Sequence, residues 1–176
     1  LRGGFLYGSS TGSAIKNLTI DNTLIMHAFA GLDGGCLFIY KSDYISIQRS
    51  VFKANYAIKL GGVMYANQVV KQSFIDSKFL EGQAGASGGA FFMNYAKKVD
   101  IIRCKFFNNQ ARKHGGALML QEGRTVRFVM SDVIGNSAWM DGGGIYFIGY
   151  NFLTDSGCVF LRNTAHNTGG VLYIEG

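Results

Sequence analysis

Apolar residues recur in this chain on a fixed long period rather than a helical one. A paired glycine leads into an aliphatic residue and an aromatic one, most plainly at Gly142-Gly143-Gly144-Ile145-Tyr146. The pairs Gly34-Gly35, Gly61-Gly62, Gly88-Gly89, Gly115-Gly116, Gly142-Gly143 and Gly169-Gly170 follow one another at intervals of 27 residues. An earlier copy, Gly3-Gly4-Phe5-Leu6-Tyr7, stands 31 residues before the second, which places four extra residues within Gly8 to Lys16. A fixed period of this size marks an architecture of stacked units, each touching mainly its neighbours.

Folding the sequence on that period lines up columns. After each glycine pair comes a strand with Leu6, Leu37, Met64, Phe91, Leu118, Ile145 and Leu172 in one column, and Ile39, Ala66, Met93, Leu120, Phe147 and Ile174 two residues on. By the period-two rule these share a face, assigned to the core. The column between them, Tyr7, Phe38, Tyr65, Phe92, Tyr146 and Tyr173 with Met119 as its one break, should point outward. A polar turn precedes a second strand, as in Ile45 and Ile47 or Val99 and Ile101, with Gln72 and Asp155 as departures. A small column of Thr23, Ser50, Ser77, Cys104, Ser131 and Cys158 leads to a third strand marked by Ile25, Phe52, Phe79, Phe106, Val133 and Phe160. Asn55, Asn109, Asn136 and Asn163 follow, with Ala28 and Gly82 in the other coils. Ala30, Ala57, Ala84, Ala111, Ala138 and Ala165 fall two residues later in every coil.

Apolar spacings of three and four over ten or more residues, which a helical solenoid needs, occur in no coil. The pattern predicts an all-β, single-stranded parallel β-helix, with three short strands per 27-residue coil and about six coils. It spans 1–176 as one segment, with coils starting near 3, 34, 61, 88, 115, 142 and 169, and reads as a piece of a longer solenoid. Parallel crossovers favour the right-handed form. The asparagines are expected to form an amide ladder at a bend and the alanines to sit at a sharp inner corner.

No apolar run approaches the roughly 18 residues that span a bilayer, so no transmembrane segment is expected in this piece. The net charge of +6 is a moderate basic excess, and no nucleic-acid partner is expected. Folded on the period, Lys16, Lys97 and Arg124 share one column and Lys71 and Lys98 the next. Either these are solvated turn residues that deter edge pairing, or they contact an acidic polysaccharide or membrane. The three cysteines fit neither a disulfide framework nor a zinc site, and read as larger serines at a bend. Asn17-Leu18-Thr19 makes Asn17 a candidate glycosylation site.

Phe106-Phe107-Asn108-Asn109-Gln110-Ala111 followed by Gly115-Gly116-Ala117-Leu118 resembles the FxxN and GGA[ILV] repeats of chlamydial polymorphic membrane proteins. It is similar, more broadly, to pectin-lyase-like β-helices of bacterial adhesins and protist surface proteins. The resemblance implies the fold and an extracellular or cell-surface setting. It carries over structural positions only, because adhesins, lyases, hydrolases and spacers share this scaffold. The aspartate, Asn-Thr-Asp and Gly-His-Gly motifs of polygalacturonases are absent, as is the nonapeptide calcium repeat.

No carboxylates pair at the spacing that glycoside hydrolysis requires. His114 and Asp141 fall beside each other on adjacent coils and are read as a turn-stabilising pair; His27 and His166 lie in other columns, so no metal or cofactor is expected. Arg112, Trp139 and His166 stack on successive coils as a ladder or a partner contact, with a cation–π contact expected between Arg112 and the indole. The outward aromatics Tyr65, Phe92, Tyr146 and Tyr173 would form a sticky strip. These features lead to a non-enzymatic extracellular scaffold or filament-forming rod, its partners being further coils or copies of itself. An adhesin binding a glycan or host surface is the second expectation, and a polysaccharide lyase or hydrolase the third.

Overall fold

The structure, a computed structural model, describes residues 2–9 and 15–176. It is an all-β parallel solenoid of about six turns, with no helix among the described residues. Every ladder is parallel, and its register repeats the 27-residue period: Leu37 pairs with Met64, Phe79 with Phe106, and Ala84 with Ala111. Most of the segment expected to hold the four extra residues, 10–14, lies outside the described residues.

Three sheets run along the axis, but the coil is divided differently from expectation. The expected first and second strands are one 12-residue strand in four coils: Leu37–Gln48, Met64–Ile75, Leu118–Val129 and Ile145–Ser156. In the coil between, they separate as Phe91–Asn94 and Lys98–Ile102. Each long strand bends at a left-handed residue, such as Lys41, Gln68 or Glu122, which turns the chain without breaking the ladder. The expected third strand is the second sheet, three residues per coil, as in Lys105–Phe107. The alanine column forms a third sheet of two-residue strands, from Phe29–Ala30 to Thr164–Ala165.

The core follows the predicted columns. Leu37, Ile39, Ile45, Ile47 and Phe52 are fully buried, as are their counterparts through the middle coils. Phe79 stacks between Phe52 and Phe106, with ring centroids 5.4 and 5.0 Å away, and meets Phe91 edge-on at 4.4 Å. Offset-stacked and edge-on rings both suit the aromatic quadrupole, so this knot adds directed attraction to burial.

The glycine pair has two separate causes. The first glycine is left-handed in every coil, and a Cβ on Gly115 would lie 2.2 Å from the Leu118 carbonyl oxygen. For the second the cause is close approach: a Cβ on Gly116 would stand 2.0 Å from the Gly143 carbonyl oxygen and 2.6 Å from the backbone of Ser137. Backbone therefore packs directly on backbone between the start of the first sheet and the third.

That approach corrects the reading of the alanines. They are nearly buried, but they lie outside the main core cluster. With glycine backbone filling the interior at this point, no inner corner is left for them. Ala84, Ala111, Ala138 and Ala165 instead line the floor of an outer groove.

The bends are held by side chains reaching back one coil. Asn109 Oδ1 accepts from the Gly82 N–H at 2.8 Å, while its Nδ2 donates to the Phe79 carbonyl at 3.0 Å and to Asn136 Oδ1 at 2.9 Å. Asn136 repeats the pattern with Phe106 and Asn163, and Asn55 Oδ1 accepts from the Ala28 N–H. The amide ladder is therefore also a set of backbone caps, and it explains why a coil with Ala28 or Gly82 is tolerated: its N–H is served by the asparagine of the next coil. The serine column does the same at the preceding bend, where Ser77 Oγ accepts from Ser50 N–H and Ser131 Oγ from Cys104 N–H. Cys104 is buried in that column and its thiol is pushed up to about 12 by desolvation, which suits an inert packing residue.

Candidate functional site

An open groove of about 820 Å³ runs along the axis over the third sheet. Its floor is the alanine column. One wall carries Tyr56, Gln83, Gln110, Ser137 and Thr164, each the residue before an alanine; the other carries Gly85, Arg112, Trp139 and His166, each the residue after one. The repeat thus places like chemistry at like height, coil after coil, at about 4.8 Å per step. Small alanines keep the floor low, and the residues on either side rise as walls.

Among the described residues Trp139 is the most exposed large apolar side chain, at 67%. Its indole stacks on the His166 ring, with centroids 4.9 Å apart and planes 15° from parallel. Among the described residues, the expected cation–π contact between Arg112 and the indole is not made, and the cations seated over rings are Arg2, Lys41, Lys71 and Lys105. Arg112 is exposed and has no carboxylate partner among the described residues. No residue lining the groove is acidic. The sequence brought Arg112, Trp139 and His166 together correctly, but missed the opposite wall. The signal was a polar residue before the alanine in four successive coils.

The outward aromatic column is a different object from the strip expected. Tyr65, Phe92, Tyr146 and Tyr173 do face away from the main core, where they form a second apolar cluster with Met119. Their rings stack face to face, Phe38 on Tyr65 at 4.9 Å, Tyr65 on Phe92 at 5.5 Å and Tyr146 on Tyr173 at 4.8 Å. Rings stacked at the coil spacing cover one another's faces. Phe92 and Tyr146 are consequently buried, and the column offers no open apolar strip. His114 packs against this column, its ring 4.7 Å from that of Tyr146. The Tyr146 hydroxyl donates to Glu175 Oε2 at 2.7 Å; burial, then that carboxylate, holds the phenol protonated.

The basic columns divide. Lys71 and Lys98 are register partners, and Lys97 and Arg124 line a shallow depression of about 330 Å³. Lys16 keeps its place in the column, since the ladder sets Ile15 on Ser42 and Asn17 on Tyr44, but Asp43 and Val70 stand between it and Lys97. Much of the remaining charge is matched. Lys98 Nζ is 3.4 Å from Asp100, whose carboxylate also takes Arg127 Nε at 2.9 Å, and Glu122 lines the depression beside Arg124. Lys71 Nζ lies over the Tyr44 ring at 5.4 Å.

His114 Nδ1 lies 3.2 Å from Asp141 Oδ2, but is not aligned for a directed hydrogen bond. Asp141 Oδ1 takes the Thr168 N–H and hydroxyl instead, which ties the pair into the turn before the glycines. Asn17 is exposed on the strand Ile15–Asp21. No group of three or more His, Cys, Asp or Glu side chains among the described residues is placed to hold a metal ion. Compared with known proteins, the chain matches no family model, no curated protein and no solved structure.

Proposed function

We propose that this chain is a non-enzymatic scaffold, a segment of a β-solenoid rod working outside the cell or at its surface. The observation that carries the reading is the uninterrupted register. From Leu37 to Glu175 each strand pairs with the one 27 residues on, with no loop inserted between coils. Binding and catalytic sites on repeat scaffolds are commonly built from such loops, and a rod needs none. The likeness of the FxxN and GGA[ILV] motifs to surface β-helix repeats supports the setting.

The two end coils support axial stacking, on further coils of the same chain or on a second copy. At one face Phe5 is exposed, and at the other Val171, Leu172 and Ile174, all from columns that are buried in the middle coils, as at Val63, Leu118 and Leu120. An added coil would pair their open N–H and C=O groups and cover their side chains in one step. Sedimentation velocity over a concentration series tests this. Species growing end to end with concentration are expected; a single compact monomer throughout would overturn the rod reading.

An adhesin is the second reading, and the acid-free groove beneath the exposed Trp139 is the observation that favours it. The basic depression and the aromatic column have less to recommend them, since the first is shallow and holds Glu122 beside its two cations and the second is largely buried.

A further inference from the structure

We propose that the groove over the alanine column binds an extended neutral glycan, with one pyranose ring stacked on Trp139. The proposal deepens the adhesin reading and is independent of axial stacking. Three features point to this occupant. First, an exposed indole suits the C–H face of a sugar ring, and the His166 stack fixes the orientation of Trp139 while the indole stays 67% exposed. Second, the wall opposite offers Gln83 and Gln110 amides and Ser137 and Thr164 hydroxyls in a row. Each amide both donates and accepts, which is what vicinal sugar hydroxyls require. Third, repeating hydroxyls along a chain match a polar group repeated coil after coil along a ladder.

Charge decides between neutral and acidic chains. Arg112 is the one full cation lining the groove, whereas a polyuronide carries a carboxylate on every residue. Most of those carboxylates would lie against alanine methyls and amide oxygens without a counter-charge, and desolvating them would cost more than the contacts return. Arg112 can instead donate its planar N–H groups to hydroxyls of the sugar beside the indole.

Trp139 is the single tryptophan of the chain, so intrinsic fluorescence reads this groove directly. The whole chain is titrated with hexasaccharides of glucose, of mannose and of N-acetylglucosamine, and with a hexamer of galacturonic acid. At least one neutral hexamer should give a saturable shift with a Kd of about 1 mM or tighter. By calorimetry, Trp139→Ala should weaken that binding at least about tenfold, a loss of about 1.4 kcal/mol. Trp139→Phe should retain part of it, Gln110→Ala should weaken it, and Lys97→Ala, outside the groove, should leave it unchanged. Circular dichroism of each variant separates lost binding from lost fold. No saturable shift with any neutral hexamer overturns the proposal, as does tighter binding of the galacturonate hexamer or undiminished binding by folded Trp139→Ala protein. Failure here leaves the rod reading standing, since sedimentation reads that separately.

Discussion

Single side chains here answer for backbone groups a whole coil away. Asn109 serves the Gly82 N–H, buried at a bend outside the strands, and adds a bond to the Phe79 carbonyl in the strand before it. Removing it strands the buried Gly82 N–H, at a cost of about 1–3 kcal/mol, and also removes the amide's bonds to Phe79 and Asn136. Asn109→Ala should therefore lower stability by roughly 3 kcal/mol in urea unfolding, far more than an exposed asparagine such as Asn108. Gln72 is the reverse case. It is fully buried in a column otherwise holding Ile45, Val99 and Val126, and neither its amide nitrogen nor its oxygen finds a partner. Gln72→Val should raise stability by about 1–3 kcal/mol. Loss of stability instead would show that the amide is satisfied.

Asp33 adds a pH dependence. Its carboxyl is raised above the ordinary 3.8, first by burial and against the pull of Arg2, the Leu60 backbone and Lys59, and its Oδ1 has no partner. A carboxyl raised on folding keeps its proton in the native state while the unfolded state loses it. Stability is then full below about pH 3.8 and falls as pH rises through the native value. Asp33→Asn should be more stable than the parent at pH 7, with the difference vanishing near pH 3. A difference independent of pH would mean that Asp33 is not desolvated.

At the scale of the element, the double glycine sets how near the first and third sheets come. Gly116→Ala would push a methyl into two carbonyl-lined backbones with no side chain free to give way. A loss of about 3 kcal/mol or more is expected from thermal unfolding. A smaller loss would mean that the sheets can part. The columns were legible in the sequence because every coil repeats the same demand: core at Leu37 and Ile39, bend at Asn109, close approach at Gly116. What the sequence did not show was how strands join. Lys41, Gln68 and Glu122 adopt left-handed backbone without being glycine, so nothing in their identity announced that two expected strands are one. The alanine column misled for a related reason. Small size signals tight packing but not its direction, and here the crowding comes from glycine backbone on one side and an open groove on the other. Alternation likewise placed Tyr65 and Phe92 outside the core correctly, but could not show that stacking at the coil spacing would bury Phe92 and half-bury Tyr65.

For the molecule as a whole, the same property that makes the middle coils stable leaves the ends open. Each interior coil is covered on two sides by its neighbours, and the end coils on one. The solenoid is then a sum of coil and interface terms, and an added coil contributes another interface. Hydrogen exchange of the end strands over a concentration series tests the axial-stacking claim most directly. The account predicts that Leu24–Met26 and Val159–Leu161 exchange fast in dilute protein and become as slow as Lys105–Phe107 when the protein is concentrated. End strands that stay fast at every concentration, while the middle stays protected, would contradict it.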